Sequence, residues 1–481
     1  MKKIFVVLTI TLFAISAFSQ NNTQSEQEEW KPSQDEYTNF DISKFITPDI
    51  VRNQLGLNLD MYSNYSRSRV NNVSSSESSN SIFTGNFESY FSHYVNTRKK
   101  ITSLESRLSF NGNYNSQRNY QNNYTIMDHN VENVSMYNFY IDWLNRKYFS
   151  KLFYLNYGIY GSVSYSFEQE TMNNQTGERS DIKQRAFNLN ISPRIGIGYG
   201  RIENVQDARQ AIYIANALSK KKVLTRNLSN DELFELSQKI STVKNKRFLD
   251  SRLHLIDEIT TVDSFFVSNN LLIDNGAAYF TTLYDMWQYG DLFTRKSGYE
   301  ISLAARPYFY DQNRKYTPEE QKNFYNSYQY TMSLDYSYEK PFKLNWQHSV
   351  AAGVSGNISS SFQRYEQTGN IDEYTTDSKG FTVYANYSLG YYPNTRTNVR
   401  VTAQQQMLKS YYHNEGDYYD NEGSNINSIS ALSASLYYYF SPNLRLAGSC
   451  SLRYLSNNNG DYSNINQFAS SFSVQLTYYI Y

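Results

Sequence analysis

The sequence predicts an all-β transmembrane antiparallel barrel of about 14 strands that carries a mostly helical insert, and three observations predict it. Long stretches alternate apolar with small or polar residues at a period of two, which puts one set on each face of a strand. No window of about 18 mainly apolar residues follows residue 19, so spanning helices are excluded. The connections alternate long and short along the chain, the asymmetry of a barrel whose turns differ on its two sides.

The alternation is clearest from Ile182 to Tyr199, where Phe187, Leu189, Ile191, Ile195, Ile197 and Tyr199 interleave with Asn188, Asn190, Ser192, Arg194, Gly196 and Gly198. It recurs from Lys343 to Ser359, with Leu344, Trp346, Val350 and Val354 opposite Asn345, Gln347, Ser349 and Ser355. Near the end of the chain, Phe472, Val474, Leu476, Tyr478 and Ile480 oppose Ser471, Ser473, Gln475 and Thr477. Two-faced polarity of this kind, with an outer set mostly of Asn, Ser and Gly, has little use in a soluble sandwich, whose outward face would need charge.

The same reading places strands at 54–65, 81–94, 101–115, 134–145, 151–168, 182–199, 298–310, 323–338, 343–359, 379–391, 396–412, 428–440, 444–456 and 466–481. Long polar loops are expected at 66–80, 116–133, 169–181, 311–322, 360–378, 413–427 and 457–465. Short turns lie between them, two carrying Pro393-Asn394 and Pro442-Asn443, where proline fixes φ and asparagine tolerates a left-handed conformation.

One connection differs. Between residues 200 and 297 the period changes to that of a helix. Val205, Ala208, Ala211, Ile212, Ala215 and Leu218 form one run, Leu233, Leu236, Ile240 and Val243 a second, and Phe248, Leu249, Leu253, Ile256 and Ile259 a third. Ser229-Asn230-Asp231-Glu232 reads as a helix start with a capping residue and acids in the first turn. The basic runs Lys220-Lys221-Lys222 and Lys244-Asn245-Lys246-Arg247 are balanced by acids across the insert and read as solvated helix faces.

Composition excludes several functions. The 45 Lys and Arg exactly offset 45 Asp and Glu, and without surplus positive charge there is no nucleic-acid partner. The single cysteine, Cys450, cannot close a bridge or build a cysteine zinc site. No two of His93, His129, His254, His348 and His413 have metal-ligand spacing, and no nucleophile elbow or zinc-protease helix occurs, so no catalytic residue, metal site, cofactor or enzymatic activity is assigned. The acidic run from His413 to Gly423 departs from the spacing of a calcium loop and reads as solvated.

Residues 1–19, with Met1-Lys2-Lys3, an apolar stretch to Phe18 and the small residues Ala17 and Ser19, form a signal peptide. With that signal, the tyrosine-rich alternating strands and a terminal aromatic, Tyr481, the chain resembles the outer-membrane β-barrels of Gram-negative bacteria; its Asn and Tyr content resembles the Bacteroidota type. The resemblance covers the strand segments and singles out no characterised transporter family.

It implies a bacterial outer-membrane location. Residues 20–53 are then a polar periplasmic tail, 54–199 and 298–481 the barrel, and 200–297 a helical periplasmic insert. Membrane lipid and lipopolysaccharide are the implied surroundings, with a periplasmic protein as a further partner of the insert.

Strand parity points Asp60, Glu88, Glu105, Asp142, Glu300 and Asp335 into the lumen together with Arg107, Arg194, Arg306, Arg400, Arg445 and Arg453. Matched signs give no ion preference, since a selective ring needs one sign in excess. The expected function is a passive pore or uptake channel for small polar or amphipathic solutes, gated or docked through the insert. The alternative is a non-conducting outer-membrane protein whose insert engages a periplasmic partner and whose loops bind surface glycans.

Overall fold

The computed structural model describes residues 37, 39–70, 76–121, 126–173, 179–245, 251–290, 294–317, 321–367, 369–416, 419–441, 444–459 and 463–478. The signal peptide, most of the 20–53 tail, Phe248, Leu249, Pro442-Asn443, Ile480 and Tyr481 lie outside the described residues.

Alternating residues make strands here because each strand finds its sequence neighbour. The strands are β1 (Ile50–Val70), β2 (Ser76–Asn96), β3 (Lys100–Gln121), β4 (Ile126–Tyr148), β5 (Phe153–Asn173), β6 (Arg179–Asn204) and β7 (Lys296–Thr317). They continue with β8 (Lys322–Phe342), β9 (Trp346–Gln367), β10 (Asn370–Asn394), β11 (Thr397–Gly416), β12 (Tyr419–Ser441), β13 (Leu444–Asn459) and β14 (Ser463–Tyr478). They form one antiparallel sheet in sequence order, the up-and-down topology of a 14-stranded barrel. Among the described residues β1 pairs with β2 alone and β14 with β13 alone.

The strands are longer than the sequence periodicity suggests. Most of the stretches expected to be long loops continue as paired strand: β3 and β4 pair out to Gln121 and Ile126, and β11 and β12 out to Gly416 and Tyr419. Apolar alternation stops where one face no longer meets apolar surroundings, but backbone pairing continues because polar side chains are solvated equally well on a two-stranded ribbon.

The register sorts the side chains. One face carries Ile195, Ile197, Ile301, Leu303, Met332, Leu334, Val383 and Phe381, all exposed, with Ile195 at 58% and Met332 at 60%. Aromatic pairs edge this band at both ends: Trp346 against Tyr391 (4.4 Å) and Trp143 against Tyr157 (5.6 Å) at one, Phe309 against Tyr328 (5.0 Å) and Phe110 against Tyr137 (4.9 Å) at the other. An apolar band between two aromatic girdles is stable only with hydrocarbon against it, so the sheet spans a membrane. No described helix is long and apolar enough to do so.

Between β6 and β7 come four helices, α1 (Gln206–Lys220), α2 (Asn230–Asn245), α3 (Ser251–Ser268) and α4 (Ala277–Tyr289). The first two expected apolar faces are buried, from Val205 through Leu218 and from Leu233 through Ile240. The start of α2 is a reciprocal capping box: Ser229 N–H donates to Glu232 Oε2 at 2.7 Å, and Glu232 N–H to Ser229 Oγ at 3.3 Å.

The face expected for α3 is corrected. Ile256 is 75% exposed, while Val262, Phe265 and Phe266 are buried with Tyr279, Leu283 and Trp287 of α4. The edge-to-face cluster of Phe265, Phe266 and Tyr279, with ring centroids 5.4 and 6.2 Å apart, outcompetes a single isoleucine for the interior.

Residues 39–49, assigned by composition to the polar tail, are packed. Phe40, Ile42 and Phe45 are buried, Phe40 lies 4.7 Å from the ring of Phe234, and Thr47 Oγ1 donates to Asn204 O at 3.1 Å. A few well-placed apolar residues outweigh the average polarity of the segment.

Candidate functional site

All twelve residues assigned by parity to the lumen share one face of the sheet. The ladder pairs link them: Asp60 opposite Asn86, Glu105 opposite Asp142, Gly158 opposite Arg194, Ser302 opposite Asp335, Gly390 opposite Arg400 and Tyr439 opposite Arg445. Because directly opposed residues point the same way, this continuity carries one polar face from β1 to β14.

The structure brings some of them together. Arg194 pairs with Asp142, and Arg107 Nε lies 3.5 Å from Glu88 Oε1. Arg400 donates to the Tyr392 hydroxyl at 2.8 Å, and the Arg445 guanidinium stands 5.4 Å above the Tyr439 ring. Asp60, Glu105 and Arg453 are exposed on the same face and are not drawn into the central cluster.

Three of the twelve, Glu300, Arg306 and Asp335, form the central cluster around a cavity of about 450 Å³ on β4 and β7 to β10, lined also by Arg146, Thr331 and Tyr384. Arg146 Nη1 donates to Glu300 Oε2 at 2.8 Å. Asp335 accepts from Ser333 Oγ at 2.8 Å and from the Tyr384 hydroxyl at 2.7 Å. The last contact crosses β9 above Gly353, where an added Cβ would come within 2.7 Å of both Asp335 Oδ1 and Tyr384 Cε1.

Arg194 and Arg306 lie within an interruption of the β6–β7 ladder, which is paired at Ile191–Phe309 and again at Ile195–Ala305. Pro193 and Pro307 fall inside that gap, as expected of residues with no N–H to donate.

Arg146 and Tyr384 escaped the sequence reading. The expected strand ends at residue 145, but β4 continues to Tyr148 and keeps Arg146 in the parity of Asp142. That parity was the available signal.

The insert caps the turn end of the sheet. From α1, Arg209 Nη2 donates to Asn345 Oδ1 at 2.8 Å, and from α4 the Tyr289 ring lies 5.3 Å from that of Tyr439. Arg295, at the exit of the insert, is buried and donates to Leu344 O (2.9 Å), Trp346 O (2.6 Å) and Gln347 Oε1 (3.1 Å). Burial, and then the charge of Arg209, push its pKa down to about 10. The helices therefore touch the β8–β9 turn and the ends of β10 and β12, and α2 touches β1.

Among the described residues no group of His, Cys, Asp and Glu is placed to hold a metal ion. His129 and His413 lie on β4 and β11, not in loops, and His348 Nδ1 is 2.8 Å from the Tyr387 hydroxyl.

No family model and no curated protein matches the chain. It is similar to the translocator domain of the autotransporter NalP from Neisseria meningitidis, at 7% identity and a TM-score of 0.23, over 80% of this chain and 89% of that one. It is also similar to the alcaligin outer membrane receptor FauA from Bordetella pertussis (8%, TM-score 0.32, 91% and 65%) and to the TodX monoaromatic hydrocarbon channel (7%, TM-score 0.23, 91% and 92%). These likenesses are distant, and the reading of the site rests on the geometry above.

Proposed function

We propose that the chain is a passive outer-membrane pore for small polar or amphipathic solutes, with the polar face as conduit and the helical insert as its periplasmic gate. The observation that carries this reading is the insert lying against the turn end of the same sheet whose polar face holds the charge cluster. A polar cavity lined by both signs accommodates dipolar solutes and neither attracts nor repels simple ions strongly.

The test is conductance of the mature protein in a planar bilayer beside a form lacking residues 203–296. Steady current, larger in the shortened form, supports the gate. Silence in both, from barrels shown to be folded, overturns the pore.

Silence would favour a second reading, a non-conducting protein whose insert docks a periplasmic partner. The observation on its side is the bonding of the polar face, where Asp335 and Glu300 each already have partners.

A further inference from the structure

The opposite face of the sheet holds a second, larger cavity that the pore does not use. It is a groove of about 860 Å³ crossing β8 to β12. Two neighbouring cross-strand rows line it: Tyr330, Lys379 and Tyr411 in one, Tyr328, Asp377 and Glu422 in the next. All six residues have the parity of the apolar band, and Tyr328, Tyr330 and Tyr411 are each 50–59% exposed.

The position is informative. Met332, Phe381 and Leu334 lie immediately on one side of the groove along their strands, and the polar outer extensions of the strands lie on the other. With the turn end on the periplasmic side, as in the proposed function, the groove sits at the outer margin of the hydrocarbon band, facing the lipid and not the conduit, at the depth of the outer-leaflet headgroups.

Its chemistry selects among ligands. A hydrocarbon site would lack the carboxylates, and an anion site would need positive charge in excess. Exposed aromatic faces beside grouped donors and acceptors suit a sugar ring, whose C–H face lies on an aromatic ring while its hydroxyls both donate and accept. The volume lies within the usual range of small-molecule sites, about 300–1,000 Å³.

We infer that this groove binds the oligosaccharide of an outer-leaflet glycolipid. The lipid-tethered source follows from the position, because a face pressed against the leaflet meets sugars held in the membrane plane. The inference rests on the proposed periplasmic placement of the insert and is independent of conduction.

The test uses the purified full-length mature protein and three probes: rough lipopolysaccharide, the uncharged oligosaccharide of its core freed of acyl chains, acidic sugars and phosphate, and lipid A without core sugars. Binding is read by calorimetry and by native mass spectrometry. The expected result is saturable binding of the free core oligosaccharide, weakened about tenfold by Tyr411→Ala and by Asp377→Asn and largely kept by Tyr411→Phe. Heat-modifiable migration on gels verifies that each variant is folded, and Asp377→Asn, isosteric with the wild type, decides if Tyr411→Ala is not. Two results overturn the inference: lipid A binding as tightly as lipopolysaccharide while the free core oligosaccharide does not bind, or equal affinity of all folded variants for the oligosaccharide.

Discussion

Tyr384 on β10 donates its phenolic proton to Asp335 on β8 at 2.7 Å, reaching over Gly353 of the strand between them. The absent side chain at 353 is what lets two strands that are not neighbours share a hydrogen bond. Gly353→Val is expected to separate the pair, and Tyr384→Phe to remove the bond without adding bulk. If the bond narrows the conduit, both variants raise single-channel conductance, the valine variant less because its side chain occupies part of the space gained. Unchanged conductance in folded Tyr384→Phe would remove Asp335 from the conduit.

Charge balance in the cluster makes a sharper prediction. Glu300 and Asp335 face Arg146 and Arg306 around one cavity. The double substitution Glu300→Gln, Asp335→Asn leaves the arginines in excess and is expected to turn the proposed pore toward anions, read as a shift in reversal potential under a salt gradient. The effect should shrink at high salt, where the Debye length falls to about 3 Å at 1 M.

Arg295 fastens the insert through two main-chain carbonyls and Gln347. Arg295→Gln removes charge-assisted bonds worth about 1.5–3 kcal/mol each and leaves buried acceptors unpaired. Faster amide exchange in α1 and α4, with unchanged exchange in β8 and β9, is the expected outcome. In the bilayer the same variant should resemble the form without the insert.

The capping box of α2 is sensitive to acid. Glu232 is held down to about 2, first by its two-pronged bond with Arg226 (2.7 and 2.8 Å) and then by the amide and hydroxyl of Ser229. Its folded pKa lies below its ordinary value of 4.5, so its contribution is complete above about pH 4.5 and is lost as the pH falls toward 2. Exchange protection of the first turn of α2 should fall across that window in the wild type and be flat in Glu232→Gln, which starts lower by about 1 kcal/mol.

Among the described residues the outer edges of β1 and β14 are unpaired, and they predict their own partner. Unsatisfied backbone groups are not tolerated in hydrocarbon, and an even strand count makes the first and last strands antiparallel. In a Cys450→Ser background, single cysteines replacing Leu55, Leu57, Leu59 or Met61 should form disulfides with a subset of those replacing Phe468, Phe472, Val474 or Leu476. Absence of any crosslink in membrane-inserted protein would show that the sheet closes on something else.

Much of this was legible in the sequence because the face of a strand residue depends on parity alone. A register that is continuous over fourteen strands carries the twelve charged residues onto one face once the strand order is sequential. What parity does not encode is reach. Arg146 and Glu300 meet across two intervening strands and Tyr384 and Asp335 across one, distances set by sheet curvature and by a missing Cβ. The docking of the insert was illegible for another reason: Arg295 is held mostly by main-chain carbonyls, which any residue at 344 or 346 would supply. In α3 the period identified a helix, but neighbouring aromatics decided which side turned inward.

Asn204 and Lys296 are ladder partners, so the strands leading into and out of the helical segment are zipped together at its base. The segment begins and ends at one point of the sheet, and its covalent continuity is dispensable to the strands. A single peptide-bond cut between α2 and α3 should leave the barrel and cap assembled as two polypeptides, and the two halves, exported separately, should reconstitute one another. The molecule is in this sense already divided in two, with a seam that the chain happens to cross.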